Sequence, residues 1–596
     1  MKNIVLIEPK AKIGNVYSAT VMPRLGLPLL GSTLQKEGYN VSIYMNSITK
    51  LPWSKILQAD LVGISAIICT SNEAYRIGGY LRSFNIPVVI GGIHPTFMPE
   101  EALQYADYVV RGEADFTFLP FIKALEKGVK PLDIPGVSYR ENGKYIHNPL
   151  DHSCPVDVEQ IPIPNLNLID SRKKIRAVPV MTSRGCPHNC TFCSVTNMFG
   201  RKYRHRSIDK ILEELSLYEG RSVFFCDDNF AADMKHTKTL LREMLRQNIK
   251  IKSWGAQLRA EVAKDEEFLD LMHRSGGDMA YIGLESINPE TLEEYNKKQS
   301  VEDVHECVAR FHEYNIRVHG MFVLGSDHDT VESIRDTADF SLKARIDSVQ
   351  FMMLTPLPGT ALFQKLESEN RILTRNWELY DGHHAVFHPA NMSPEELQNE
   401  TFNAYKRFYS LRNVLANVSL TGWGSAFYRG LGWLLVKQFS GRNRWYNNAL
   451  LHLKTNGNDS LPSFQEQIKS CLEKETPYAQ KEIGKDLNIF ITEKSGIFYL
   501  RLRGFLNQLN IKELNKTINN YLPQDCMHLV INTEGLHFIS DNSAKLLSRI
   551  LRRLGKRFLR VQLIYDSSEL KDKFLKKYFL KIPRFELLPG KGDSSY

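Results

Sequence analysis

The chain has 596 residues, 43% of them hydrophobic, with nine cysteines and a formal net charge of +9. At about 100–200 residues per domain this makes about three to five compact units, and the apolar fraction is that of a globular protein. No apolar run reaches about eighteen residues and the opening one is too short for a secretory signal. Nine cysteines are too few for a disulfide scaffold, so a cytoplasmic protein is expected.

Taken in chain order, IVLIEP, NVSIYM, LVGISAI, VVIGG and YVVRG read as strands, with helical patterns between them at 29–37 and 75–83. This is the rhythm of an open parallel α/β sheet, placed at residues 1–135. The proline-rich CPVDVEQIPIPNLNLID reads as linker, which is bounded at 136–170. A second series follows over 171–385, with strands at AVPVMTS, SVFFCDD, IKSWGAQ, MAYIGLE, RVHGMFVLG and DSVQFMMLTP, each before a charged amphipathic helix. Six such repeats predict a partial barrel, whose chemistry belongs at the C-terminal strand ends. The cysteines, Asp227 and Asp228, Glu285 and Ser286, Gly325 and the Thr355-Pro-Leu-Pro stretch all fall there.

Residues 386–480 read as a helical, aromatic and basic extension. Within it, residues 401–460 carry eight Lys or Arg, eleven aromatics and one acid, Asp459. That composition suits an anionic membrane face or a lipid substrate; an aromatic helical core under a solvated basic face is the other reading. Residues 484–590 read as a last α/β unit: the hairpin LNIFITEKSGIFYLRLRG, a helix, the strand HLVINTEG, a helix from Asp541, the strand VQLIYD and a helix. No module that reads nucleic-acid bases is found.

The chemistry concentrates in Ser183-Arg-Gly-Cys-Pro-His-Asn-Cys-Thr-Phe-Cys193. Cys186, Cys190 and Cys193 can hold three corners of a 4Fe–4S cubane, leaving one iron open, since no fourth cysteine lies nearby. A zinc site using His188 as fourth ligand is the alternative. The remaining cysteines, Cys69, Cys154, Cys226, Cys307, Cys471 and Cys526, are scattered and read as small buried hydrophobes.

The spacing, with Phe192 before the last cysteine, resembles the radical S-adenosylmethionine superfamily. The resemblance implies a 4Fe–4S cluster on Cys186, Cys190 and Cys193 whose open iron chelates S-adenosylmethionine, and reductive cleavage to a hydrogen-abstracting radical. Phe192, Asp227, Asp228, Glu285, Ser286, Gly325 and Pro356 stand where the superfamily receives S-adenosylmethionine. It implies no particular general acid or base.

Gly63-Ile-Ser-Ala-Ile67, Val88-Val-Ile-Gly-Gly-Ile-His94, Gly26-Leu-Pro-Leu-Leu-Gly31 and Tyr108-Val-Val-Arg-Gly-Glu-Ala-Asp115 resemble the cobalamin-binding domain fused to radical enzymes. Gly26, Ser65, Gly91, Gly92, His94, Gly112 and Glu113 are its implied contacts. The loop at 9–26 has no histidine, so no protein imidazole is expected on cobalt, with His94 the alternative ligand. Asp381-Gly-His-His-Ala-Val-Phe-His-Pro389 is similar to the post-barrel segment of cobalamin radical methylases, including hopanoid methylases; there Trp377, Tyr380, His383 and His384 either border substrate or close the barrel. The last unit resembles a STAS domain through Val530-Ile-Asn-Thr and Phe538-Ile-Ser-Asp-Asn-Ser543, with Asp541 or Asn542 at the position of the phosphorylatable serine and Ser540 and Ser543 flanking it.

Together these imply an α/β enzyme with a Rossmann-like cobalamin domain, a partial (β/α)6 radical barrel, a helical extension and a STAS-like unit. Its implied activity is methyl transfer to an unactivated carbon of a small-molecule or lipid substrate. A cobalamin-dependent radical cyclase or rearrangement enzyme, and a cobalamin-responsive regulator, are the alternatives. A flavodoxin or ferredoxin as electron donor, a protein partner at the STAS-like unit and peripheral contact with the inner membrane face complete the expectation.

Overall fold

The computed structural model describes residues 2–11, 22–82, 84–150 and 155–413 and, with breaks, 423–451 and 479–589. The chain divides into two compact units, Met1–Phe439 and Ser440–Tyr596.

The first unit opens with a seven-stranded sheet. Its parallel strands are β1 (Asn3–Glu8), β2 (Asn40–Met45), β3 (Leu61–Ser65), β4 (Val88–Gly91) and β5 (Tyr108–Val110), in the order β2-β1-β3-β4-β5. β1 is buried along nearly its whole length, as helices on both faces of a parallel sheet require. The antiparallel strands β6 (Val137–Glu141) and β7 (Lys144–His147) extend the sheet beyond β5. The linker expected at 136–170 is corrected to that extent: its first dozen or so residues are sheet, because Tyr139 and Val137 find apolar neighbours in this core. The strand order reverses between β1 and β3, which opens a crevice at their carboxyl ends.

Six parallel strands then form the partial barrel: β8 (Ala177–Val180), β11 (Ser222–Phe225), β12 (Ser253–Leu258), β13 (Gly277–Glu285), β14 (Arg317–Leu324) and β15 (Ser348–Met353), in sequential order. A short ribbon, β9 (Ser183–Arg184) with β10 (Arg204–His205), stands at the end of β8. Alternate strand residues such as Val178, Phe225, Ala256, Ile282, Val318 and Phe351 pack outward against the helices in the largest core cluster. Ser300 with Asp303 and Ser393 with Glu396 form capping boxes that start the helices Val301–Glu313 and Pro394–Phe408.

The extension packs onto the barrel. Phe402, Tyr405, Phe408, Tyr409 and Phe439 are buried in that same core. Tyr405 and Tyr409 bond to β15 directly: their phenol oxygens accept from the amides of Phe351 and Val349 at 3.0 and 2.9 Å. Arg429 is buried, donates to the carbonyls of Ile346 and Asp347, and lies 4.4 Å over the Phe408 ring. The side chains of Trp423 and Trp445 lie outside the described residues, as do Cys154, Cys471 and Cys526. Cys69 and Cys307 are buried. No helix among the described residues is long and apolar enough to cross a membrane.

The second unit is a seven-stranded mixed sheet. β16 (Ala479–Ile483), β17 (Leu487–Lys494) and β18 (Ile497–Leu506) are antiparallel; β19 (His528–Asn532), β21 (Arg560–Tyr565) and β22 (Phe585–Pro589) continue it in parallel, and β20 (Leu536–Phe538) pairs with β18. Helices Asn510–Tyr521 and Asp541–Arg557 cover it through Leu514, Ile518, Leu547, Leu551 and Leu554. Ser540, and the side chains of Asp541, Asn542 and Ser543, lie outside the described residues.

Candidate functional site

The cysteine loop, residues 185–203, springs from the ribbon at the C-terminal end of β8, where Arg184 faces Arg204. Gly185 holds φ +88°, and a β-carbon there would sit 2.7 Å from the Lys202 carbonyl oxygen, so the loop's base accepts no side chain. Cys186, Cys190 and Cys193 are free, half-buried thiols. Burial pushes all three up, Cys193 to about 12, so their thiolates need nearby positive charge. The irons of a cluster would supply it, and this donor set fits such a cluster. Among the described residues no three His, Cys, Asp or Glu side chains converge as a single metal ion would need. The loop rests on the segment after β13: Thr191 donates to the Glu294 carbonyl at 3.2 Å, and Phe192 packs edge-on against Tyr295 at 5.0 Å. Phe192 therefore anchors the loop against protein.

Asp227 and Asp228 follow β11. The Asp227 carboxylate accepts from the Thr182 amide at 3.1 Å, the Thr182 hydroxyl at 2.9 Å, and both the amide and hydroxyl of Ser183. These donors come from the end of β8, so Asp227 fixes the root of the cysteine loop. Asp228 lies beside Cys186 and Cys193 and takes the Gly185 amide; burial pushes its carboxyl up to about 6.

At the end of β13 the register with β14 slips between Gly283 and Glu285, and Glu285 adopts φ +61°. A bulge and a non-glycine residue at positive φ mark a strand end held in a costly conformation by its surroundings. Glu285 is buried and paired with Lys297 at 2.8 Å, and both act electrostatically on Cys190. The buried Ser286 accepts from the Asn288 amide at 3.0 Å. Gly325, at φ +102°, donates its amide to Asp329 and is backed by Leu397. Pro356 is buried after β15.

Sequence reasoning missed the inner wall of the barrel. Gln257, Tyr281, His319 and Ser348 are register partners on four adjacent strands, with Met321 and Gln350 one step further on. Tyr281 stands 5.0 Å from His319 and 5.2 Å from Phe224, ring to ring. They alternate with the outward core residues, and that period of two was the available signal.

In the first sheet Ser65 and Gly91 are register partners at the ends of β3 and β4. Gly92 holds φ +105°, and a β-carbon would lie 2.5 Å from the Ala66 carbonyl oxygen. Nothing lies within 4 Å of such an atom on Gly26. These ends form a backbone cradle in which Gly92 lies tight against Ala66 and Gly26 is left open. His94 is fully buried, 5.0 Å from the Trp377 ring and 6.0 Å from Tyr75, with Nε2 3.5 Å from Glu101. Trp377 donates its indole N–H to Glu101 at 2.9 Å, so the post-barrel segment seats against the first sheet's helices. His383 and His384 are fully buried; Nδ1 of His384 lies 2.9 Å from Asp381, and Nε2 of His383 lies 3.3 Å from the Tyr405 hydroxyl. The His383 ring packs against Tyr405 and Phe439, and the His384 ring against Phe439.

Gly112 holds φ +70° after β5. The neighbouring Glu113, expected at cobalamin, pairs with Arg184 at 2.8 Å and Arg204 at 2.9 Å. Two guanidinium groups thus engage its carboxylate.

A cysteine loop at the head of a partial barrel, in one compact unit with a glycine-ended parallel sheet, defines an iron–sulfur radical enzyme with a corrinoid-type domain. The comparisons agree. Residues 180–341 match the Radical SAM superfamily and residues 11–120 the B12 binding domain. An uncharacterised methyltransferase of Pyrococcus horikoshii is 32% identical over 434 residues, 70% of this chain and 94% of that one. The bacteriochlorophyllide d C-12(1)-methyltransferase of Chlorobaculum tepidum is 27% identical over 68% of this chain and 87% of its own length. The anaerobic magnesium-protoporphyrin IX monomethyl ester cyclase of Rubrivivax gelatinosus is 26% identical, over 68% and 77%. Among solved structures, TsrM from Kitasatospora setae with cobalamin and a [4Fe–4S] cluster superposes with a TM-score of 0.56 at 17% identity, covering 74% of this chain and 99% of that one. The chain belongs to the cobalamin-dependent radical S-adenosylmethionine methyltransferase family. Its cofactors are a 4Fe–4S cluster, S-adenosylmethionine and cobalamin.

Proposed function

We propose that the chain transfers a methyl group to an unactivated carbon of a hydrophobic or lipid substrate held in the barrel. The observation that carries this is the half-buried cysteine loop beside Asp228, in the same compact unit as the glycine cradle. Bound there, the cluster with S-adenosylmethionine supplies hydrogen abstraction, and cobalamin supplies the methyl group.

Cys186, Cys190 and Cys193 hold the cluster. Asp228, an acceptor beside it, receives the methionine ammonium, which brings three donors. The Glu285–Lys297 pair, Ser286, Gly325 and Pro356 line the rest of that pocket. Gly26, Ser65, Gly91, Gly92 and Gly112 let the backbone approach cobalamin, with no imidazole on cobalt. Phe224, Tyr281, His319, Met321 and Gln350 position the substrate and exclude water from the radical. An electron donor such as flavodoxin or ferredoxin serves the cluster, and the second unit, read as STAS-like, docks a protein partner.

The test is anaerobic turnover of the reconstituted chain with extracted lipids and metabolites. Methylation consumes two molecules of S-adenosylmethionine and gives S-adenosylhomocysteine and 5′-deoxyadenosine in about equal amounts. Deoxyadenosine alone, with no methyl group in product, overturns the methylase reading in favour of cyclisation or rearrangement, to which the similarity with the cyclase lends support.

A further inference from the structure

Four charged side chains join the first sheet to the cysteine loop. Arg184 and Arg204 lie opposite each other on the ribbon that closes the loop's base. Glu113 and Asp115 follow β5. Arg184 donates to Glu113 at 2.8 Å and to Asp115 at 2.7 and 3.3 Å; Arg204 donates to both oxygens of Glu113, at 3.1 and 2.9 Å. Arg204 also holds the carbonyls of Val156 and Phe199, at 2.7 and 2.9 Å, the second of them within the cysteine loop. The four side chains are 6 to 12% exposed. Two acids and two bases cancel in charge, and the planar arginine forks fix direction as well as contact.

On the other side the quartet continues into the glycine cradle. The Thr96 hydroxyl donates to the Gly92 carbonyl at 2.8 Å and accepts from the Gly112 amide at 2.9 Å. Glu113 is the next residue. A hydrogen-bonded chain thus runs Gly92, Thr96, Gly112, Glu113, Arg184, and ends two residues before Cys186. A ligand that presses on Gly92 or Gly112 acts on this chain at one end, and the base of the cysteine loop lies at the other.

We propose that Glu113, Asp115, Arg184 and Thr96 are positioning residues that couple cobalamin occupancy to S-adenosylmethionine binding at the cluster. The inference rests on the cofactor placement above. Such coupling is reciprocal: each ligand changes the other's affinity by the same factor.

The experiment uses the full chain with reconstituted cluster and measures S-adenosylmethionine affinity by anaerobic equilibrium dialysis, with and without saturating hydroxocobalamin. In the wild type the affinity differs by about fivefold or more between the two states. In Glu113→Gln with Asp115→Asn, iron content and cobalamin binding persist and the ratio falls to about one. Arg184→Lys keeps the charge but loses the fork, and gives an intermediate ratio. Thr96→Val alters no charge and breaks the chain outside the cysteine loop; it lowers the ratio too, and decides the matter if the charge variants lose their cluster. A wild-type ratio of one, or a ratio unchanged in Thr96→Val, overturns the coupling while leaving the cofactor sites standing. Failure of cobalamin to bind at all overturns the placement instead.

Discussion

His319 and Ser348 face each other across adjacent strands of the barrel wall, with imidazole Nδ1 and hydroxyl Oγ 2.8 Å apart. Burial pushes this histidine down to about 4, against a hydrogen bond to Gln350 that favours its charged form. Between pH about 4 and the ordinary histidine value of about 6.5, the unfolded chain binds a proton here that the folded chain refuses. Stability therefore rises with pH across that window, by at most about 1.4 kcal/mol per unit from this group. The melting temperature of the wild type should fall more steeply from pH 6.5 to 5 than that of His319→Gln. Parallel curves would show that the imidazole is not held neutral.

Glu285 and Lys297 form a pair with side chains 10% and 6% exposed. Removing one partner of a buried pair strands the other charge, at a cost of about 3–5 kcal/mol. Lys297→Met should lower stability by about that much, measured by denaturant unfolding of the first unit's signal. Glu285→Gln with Lys297→Met should recover most of it. If the double variant also fails to bind S-adenosylmethionine while holding its cluster, the pair faces the ligand.

The cluster prediction is stoichiometric. Anaerobically reconstituted chain should hold about four irons and four sulfides, as one cubane requires. Cys186→Ala, Cys190→Ala or Cys193→Ala should each abolish the paramagnetic signal of the reduced cluster. Full signal in any of these variants removes that residue from the site.

The cysteine loop and both parallel sheets were legible because their signals are local. Three thiols within eight residues and the strand–helix rhythm need no knowledge of distant partners. The acids were less legible. An Asp pair at a strand end does not say which carboxylate turns inward; the donors that occupy Asp227 come from Thr182 and Ser183, on another strand. Glu113 sits in a glycine motif that looks like ligand contact, yet its partners lie 71 and 91 residues away. The hairpin of β6 and β7 was hidden by the proline-rich stretch after it. Its registration on β5 is set by the sheet edge, and local composition carries no record of that edge.

Cobalt should carry no protein nitrogen. The loop at 9–26 contains no histidine, and the His94 ring is enclosed by Tyr75, Trp377 and Glu101. Bound cob(II)alamin should show no nitrogen superhyperfine splitting, in wild type and His94→Ala alike. His94→Ala should instead destabilise the fold by about 1–3 kcal/mol, since it empties a buried aromatic cage. Splitting that disappears in His94→Ala would assign the ligand to this residue.

The last prediction concerns membrane contact, for which the fold narrows the support. Of the cations in 401–460, Arg429 is buried against Phe408 and Arg407 pairs with Asp339. Five of the aromatics are core. Among the described residues of the first unit, Leu411, Leu431 and Leu434 are 54, 43 and 49% exposed, and Lys406, Arg412 and Lys437 are exposed as well. Each basic residue near an anionic bilayer contributes about 1 kcal/mol before screening, and shallow burial of leucine adds a comparable amount. The sum supports weak, reversible, salt-sensitive association. Flotation with vesicles containing anionic lipid should carry part of the protein at low salt and little at high salt. Leu431→Glu with Leu434→Glu should abolish it without changing the melting temperature, because neither side chain is core. If the wild type stays unbound at low salt, these leucines serve no membrane, and a water-soluble substrate replaces the lipid in the proposed reaction.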